Sequence, residues 1–180
     1  IKFYIYLLFV KIMEISKREL KDFNMRKFPD EISFKPIGII HSPFKILKGI
    51  PIQSSMSNTN GEIEIFPEFE GGLKDLDGFS HMVCLYYFDM VNQPVPLQSK
   101  PFLDDEIKGV FAMRTPFRPN PIGLSIFIIN EIKNRKIKVS NIDVLDKTPV
   151  IDIKPYIPYF DEAKNFKIGW LKDKIKKMVS

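Results

Sequence analysis

The sequence predicts a mainly β protein: a small barrel with peripheral helices at its N- and C-terminal ends. Three observations carry this reading. From Phe34 onward, short apolar runs are separated by Gly, Pro, Asn and Asp, the texture of strands joined by turns. Glu62-Ile63-Glu64-Ile65-Phe66 alternates strictly between polar and apolar residues, as a half-buried strand does. No Gly-x-Gly-x-x-Gly opens a helix after a strand, and strands do not alternate regularly with helices, so a doubly wound dinucleotide-type sheet is not expected.

Along the chain, the apolar stretch Phe3 to Val10 is short and bracketed by Lys2 and Lys11. A membrane-spanning helix needs roughly 20 apolar residues, so no membrane span is expected. Residues 1–12 read as an over-extended start or a tail, with Met13 or Met25 as candidate starts. Lys11 to Met25 carries an imperfect helical stripe of Ile12, Ile15, Leu20 and Phe23, stopped by Pro29. Residues 1–33 are thus an N-terminal extension, partly helical or disordered. The barrel occupies residues 34–160. Its expected strands are Ile37 to His41, Glu62 to Phe66, Met82 to Phe88, Val110 to Met113, Leu124 to Ile129, Ile137 to Ile142 and Val150 to Ile153. The continuous apolar run of the third is the pattern of a strand covered on both sides. Residues 161–180 read as a C-terminal helix packed on the barrel through Ile168, Leu171, Ile175 and Met178, with a break near Gly169 left open. Lys172, Lys174, Lys176 and Lys177 lie off that stripe. They form either a solvated face or a set of phosphate contacts.

The 180 residues suit one domain with a sizeable core. A single cysteine, Cys84, sits in an apolar run. It can form neither an internal disulfide nor a cysteine zinc site, which fits a reducing, cytoplasmic setting. Two isolated histidines, His41 and His81, make no metal pattern. A net charge of +5 is a mild bias toward anionic partners.

Two segments are dense in chemistry. The first runs Gly109-Val110-Phe111-Ala112-Met113-Arg114-Thr115-Pro116-Phe117-Arg118-Pro119-Asn120-Pro121-Ile122-Gly123-Leu124-Ser125. Its clustered prolines each lock φ and restrict the residue before them. Arg114, Arg118 and Asn120 therefore ride on a stiff loop at a barrel rim, either as a preorganised site or as a structural turn with exposed arginines. The second runs from Asp143 to Tyr159 and contains Asp146-Lys147-Thr148-Pro149, a turn with its favoured aspartate first. Asp152 lies between Ile151 and Ile153, so a strand period points it away from their face. Asp143, Asp146 and Asp152 are turn and rim residues on one view, and ligand-orienting or proton-accepting acids on another.

Together these segments resemble the TsaA-like family of tRNA (N6-threonylcarbamoyladenosine) methyltransferase O. Its hallmark is close to G-V-F-A-T-R-S-P-x-R-P-N-P-I-G-L-S, followed by D-x-L-D-G-T-P-V-x-D-I-K-P-Y-x-P. Pro36 to Lys45, Gly78-Phe79-Ser80-His81-Met82 and Ile168-Gly169-Trp170 resemble further family elements, so the likeness spans roughly Phe34 to Trp170. Met113 stands for the hallmark threonine, Thr115 for its serine and Lys147 for the glycine of its turn. Ile52 stands where members often have arginine, and Phe88-Asp89 where many have a histidine.

The resemblance implies a compact β-barrel that binds S-adenosyl-L-methionine, works as a homodimer and needs no metal. It implies methyl transfer to N6 of threonylcarbamoyladenosine, at position 37 of the tRNA anticodon loop. The cofactor positions it implies are Ser54, Ser55, Met56, Asp89, Met90, Arg114, Leu124, Ser140, Asn141, Ile142 and Asp143. Arg118, Asn120, Asp146 and Tyr156 are the substrate-side candidates, with Asp146 as a proton acceptor and Arg118 as a bidentate partner of the threonyl carboxylate. A regulator that binds S-adenosylmethionine without catalysis, or a plain RNA-binding barrel, are the alternatives.

Overall fold

The structure, a computed structural model, describes residues 29–175. The apolar stretch Phe3 to Val10, the helix expected over Lys11 to Met25, and Lys176 to Ser180 lie outside the described residues. The chain divides into the units Ile1–Phe34 and Lys35–Ser180, and the barrel lies wholly in the second. Of the first, residues 29–34 carry neither helix nor strand.

Among the described residues there are eight strands: β1 (Gly38–His41), β2 (Asn60–Ile65), β3 (His81–Tyr87), β4 (Gln98–Ser99), β5 (Lys108–Gly109), β6 (Ile122–Lys133), β7 (Lys136–Ser140) and β8 (Pro149–Pro155). Six of them close into a barrel in the order β1-β2-β7-β6-β3-β8, while β4 and β5 pair by themselves. Every neighbour in the barrel is antiparallel. Inward side chains alternate with outward ones. Ile40, Ile63, Ile65, Met82, Cys84, Phe127, Ile137, Val139 and Val150 fill the interior and are essentially inaccessible, each large aliphatic or aromatic side chain contributing about 1.5–3 kcal/mol by leaving water.

The β2 alternation is as expected. β3 is not covered on both sides: Met82, Cys84 and Tyr86 are buried, whereas Val83 and Leu85 are only half-buried. A closed barrel has one inner face, and the apolar outer residues are shielded in part by loops. The strand expected at Val110 to Met113 is instead a single 3-10 turn, Val110–Ala112. Only Val110 of that run is buried, and Phe111 points outward. The C-terminal helix is also different. A one-turn helix, α1 (Pro158–Asp161), ends before Glu162, and the chain then runs without helix to a 3-10 turn at Gly169–Leu171. Pro158 favours starting a helix, but Asn165 and Gly169 adopt left-handed φ of 60° and 55°, which a continuous helix cannot contain.

Two turns place the functional segments. Asn134 and Arg135, with φ of 48° and 63°, join β6 to β7 in the manner of a two-residue hairpin with both residues left-handed. Lys147 also has a φ of 68°, and its N–H donates to the Ile40 carbonyl at 2.7 Å. That turn therefore holds a lysine in a conformation costing about 1–2 kcal/mol for a residue with a Cβ. Glycine removes the clash but loses about 0.5–1 kcal/mol of chain entropy. Lys147→Gly is therefore expected to stabilise the fold by about 0.5–1 kcal/mol, read as a rise in denaturant midpoint at unchanged slope. An equal or lower midpoint refutes this account of the turn.

Candidate active site

At the end of the barrel where β3 finishes and β6 begins lies a cleft of about 750 Å³, within the size range of small-molecule sites. The proline loop between the Val110 turn and β6 forms one wall. The exit of β3 (Phe88 to Val91), the Leu47 to Gln53 loop, and Asp143 to Leu145 form the rest. The cleft is mainly apolar, and Leu47, Met90, Phe111, Phe117 and Leu124 at its lining are exposed to solvent.

The proline loop is held from several sides. Arg114 Nη1 donates to Gln53 Oε1 at 3.0 Å, which fixes the guanidinium to the facing loop. The Arg118 carbonyl accepts from Gln93 Nε2 at 3.1 Å, and its guanidinium reaches back to the Met113 carbonyl at 3.4 Å. The indole N–H of Trp170 donates to the Ala112 carbonyl at 2.9 Å, and Lys174 Nζ meets Asp104 Oδ1 at 3.0 Å. The C-terminal segment thus straps the base of the loop, and Lys174 is a structural partner as well as a surface charge.

Asp143 is the half-buried acid of the cleft. Ser125 Oγ donates to Asp143 Oδ1 at 2.8 Å, and Tyr86 OH lies 3.0 Å from Ser125 Oγ. Burial pushes the Asp143 carboxyl up to about 6, against the hydrogen bonds from Ser125 and from the backbone N–H groups of Asp143 and Ser54. Burial likewise raises the Tyr86 hydroxyl and the Cys84 thiol, with the Asp143 charge adding to both.

Of the expected cofactor positions, Asp89, Met90, Arg114, Leu124 and Asp143 line the cleft. Ser54, Ser55 and Met56 form a 3-10 turn behind Asp143. Ser140 bonds Asn130 and Asn60 at the barrel surface, Asn141 takes a left-handed φ of 68°, and Ile142 is wholly buried. These three support the Asp143 backbone and do not face the cleft. Arg118 and Asn120 line it.

Asp146 and Tyr156 do not line it. Asp146 Oδ1 accepts the Ser42 N–H at 3.1 Å, and Oδ2 pairs with Lys45 Nζ at 2.5 Å. The Lys45 ammonium holds this carboxyl below its usual range. Both oxygens are spent on closing the turn after β1, which leaves Asp146 poorly placed as a proton acceptor. Tyr156 follows the far end of β8, its ring centroid 6.2 Å from that of His81. β8 runs from Pro149 to Pro155, which separates the two barrel ends by roughly 20 Å at a strand's rise per residue.

Residue patterns alone pass over Leu47, Ile50, Leu85, Tyr86, Val91 and Leu145, all of which line the cleft. One signal was available for Tyr86: Gly123 within an apolar strand marks a close approach. Gly123 pairs with Tyr86, and a Cβ built on it would overlap the tyrosine ring. Among the described residues, no group of three or more His, Cys, Asp or Glu could hold a metal, and no helix is long and apolar enough to cross a membrane.

Comparison with known proteins supplies the family. The tRNA-methyltransferase O N-terminal domain matches residues 39–162. The chain belongs to the tRNA-methyltransferase O family. Among its relatives, a probable S-adenosyl-L-methionine-binding protein of Pyrococcus abyssi is 46% identical over 151 residues, covering 83% of this chain and 82% of that protein. A tRNA (adenine(37)-N6)-methyltransferase of Escherichia coli is 35% identical over 136 residues, covering 70% of this chain and 58% of the enzyme. A crystal structure of tRNA-methyltransferase O from Pseudomonas aeruginosa superposes with a TM-score of 0.66 at 34% identity, over 77% of this chain and 62% of that one. This chain therefore spans about three-fifths of the length of that enzyme and that structure. In this family member the hallmark proline loop and the Asp143 strand end meet on one cleft.

A raised Asp143 carboxyl affects stability in a defined direction. The folded state favours its protonated form, so this group's contribution is full below pH about 4 and is lost as pH rises through about 6. Asp143→Asn removes that loss. In thermal melts without ligand, the variant's Tm relative to wild type should climb between pH 4 and 6 and then level. A difference that does not vary with pH refutes a titration of Asp143 in that window.

Proposed function

We propose that this protein is an S-adenosyl-L-methionine-dependent methyltransferase acting on N6 of threonylcarbamoyladenosine at position 37 of tRNA, beside the anticodon. The observation that carries this reading is the cleft itself, a mainly apolar space lined by Arg114, Arg118 and Asn120 of the stiff loop together with the half-buried Asp143. The activity of the Escherichia coli relative, a tRNA (adenine(37)-N6)-methyltransferase, supports the position and the acceptor atom.

The residues present fit the cofactor. The apolar lining suits a flat purine, Arg114 suits an α-carboxylate, and Asp143 suits the cationic end, since a carboxylate with little water around it attracts a cation strongly. When bound, S-adenosylmethionine supplies an activated methyl group, so the chain needs no covalent nucleophile. What the chain provides is position. Holding the acceptor nitrogen in line and excluding water can supply up to ~7–11 kcal/mol when the bound geometry is near-attack. Arg118 takes the threonyl carboxylate through its planar fork, and Asn120, two residues on, offers both a donor and an acceptor to the acceptor base. Asp146 holds the turn that presents Val144 and Leu145 to the cleft.

Tyr156 enters through a second copy. In one chain it sits at the barrel end remote from the cleft, and Phe111 and Phe117 of the loop stay exposed beside the cleft, large apolar side chains of the kind that pair protomers. The functional unit in this proposal is a homodimer whose sites draw on both chains. A second reading, binding of S-adenosylmethionine without catalysis, is favoured by the Pyrococcus abyssi relative, a probable S-adenosyl-L-methionine-binding protein.

Incubation with tRNA bearing threonylcarbamoyladenosine, followed by mass spectrometry of its nucleosides, should show a methyl added to that nucleoside. Cofactor binding in calorimetry without any methylated nucleoside favours the second reading, and no cofactor binding refutes both.

Arg118→Lys should lower kcat/KM by about 10-fold or more, as loss of a bidentate charged hydrogen bond implies, with melting unchanged. Unaltered turnover refutes the role given to its fork.

Mixing inactive Arg118→Ala with inactive Tyr156→Ala should restore activity through heterodimers carrying one intact site. Two variants that stay inactive on mixing, or a fully active monomer in sedimentation, refute the shared site.

A further inference from the structure

We propose that Tyr86 and Ser125 form an internal hydrogen-bond relay that holds the Asp143 carboxylate facing the cleft as the partner of the ligand's cationic end. This rests on the reading of the cleft as the cofactor site. It makes both hydroxyl residues positioning residues, since neither needs to touch the cofactor.

The direction of the relay follows from counting protons. Ser125 Oγ carries one hydrogen, and it is donated to Asp143 Oδ1 at 2.8 Å. Tyr86 OH, 3.0 Å from the same oxygen, must therefore be the donor to Ser125. The chain runs Tyr86 to Ser125 to Asp143, and each donor polarises the next. Tyr86 and Ser125 are 4% and 3% exposed, beside a core of hydrophobic side chains. Phenylalanine and alanine would serve packing there without the desolvation cost of two hydroxyls. Position 123 also carries no side chain, because the Tyr86 ring occupies that space. Three positions on two strands thus serve one hydroxyl contact that ends at a cleft residue.

The surroundings of Asp143 make the relay matter. β3 faces it with Cys84 and Tyr86, both of which burial holds neutral, and Asp152 of β8 stands near Cys84. β6 supplies Ser125, and the Ser54 turn supplies a backbone N–H. Asp89, Arg114 and Arg118 line the same cleft. Against burial, the donated hydrogen bonds are what keep Asp143 ionised at neutral pH. Without the relay its proton is retained to higher pH, and a protonated Asp143 offers no charge to a sulfonium or an ammonium.

The test uses the full chain and reads Asp143 directly. Carboxyl carbon NMR of ligand-free protein gives its titration midpoint. Calorimetry from pH 5.5 to 8.5 gives affinity for S-adenosylmethionine and for S-adenosylhomocysteine, which lacks the sulfonium charge. Ser125→Ala should raise the midpoint by about one unit or more, as loss of a hydrogen bond to a charged group implies. Tyr86→Phe keeps the ring in place and should raise the midpoint by a smaller amount. The double variant should match Ser125→Ala alone. S-adenosylmethionine affinity at pH 6.5 should fall with the ionised fraction of Asp143, by about threefold for the first unit above a midpoint of about 6 and nearer tenfold for a further unit, and recover at pH 8.5. S-adenosylhomocysteine, which keeps the α-ammonium, loses less where Asp143 pairs with the sulfonium and as much where it pairs with the ammonium. Unmoved midpoints in both single variants overturn the relay. A moved midpoint with unchanged affinity at pH 6.5 overturns the pairing of Asp143 with the cation. A wild-type chain that binds neither compound overturns the reading of the cleft, a failure distinct from that of the relay because the titration is measured without ligand.

Discussion

Closure of the six-stranded barrel governs where everything else can be. Once β8 pairs with both β1 and β3, the six-stranded sheet has no edge strand left, and each strand has one inner face and one outer face. The loops are then confined to two ends separated by the length of a strand. The exit of β3, the entry to β6 and the entry to β8 fall at one end, and Tyr156 and His81 fall at the other. A cleft can be assembled only from segments that share an end, however dense in chemistry the others are.

Within that frame the site is built on restraint. The prolines at 116, 119 and 121 limit the loop backbone, Gln53 and Gln93 tie it to neighbouring loops, and Trp170 fastens the carbonyl of Ala112 at its base. Little conformational freedom is left to lose when a ligand arrives, and that lowers the cost of binding. The left-handed residues Asn165 and Gly169 interrupt helical geometry ahead of Trp170, whose indole then meets the loop.

Electrostatically, the two acids of the Asp143 to Thr148 segment are opposites. Asp146 is neutralised by Lys45 and held ionised as part of a turn. Asp143 has no such cation among the described residues, is half-buried, and keeps its charge through hydrogen bonds from Ser125 and the backbone. Two aspartates three residues apart are thus divided into a structural one and one available to a ligand. The division depends on whether a cation already sits beside each of them.

The sequence by itself determined a great deal here. Period-two alternation in Glu62 to Phe66 and the turn residues between short apolar runs predicted the barrel, because an antiparallel wall with one wet face demands that pattern. The stiffness of the proline loop was legible because proline acts on its own backbone. The strain at Lys147 was legible because a hallmark glycine had been replaced at a turn. What only the tertiary structure decided is everything that requires two distant segments to meet. It placed Arg118, Asn120 and Asp143 on one cleft but spent Asp146 on Ser42 and Lys45. It put Tyr156 at the opposite end, turned Val110 to Ala112 out of strand geometry, and ran Tyr86 through Ser125 to Asp143. Local patterns report what a segment does to its own backbone and to its own two faces. Partners across the barrel, and the burial that sets a carboxyl's charge, exist only once the strands have closed.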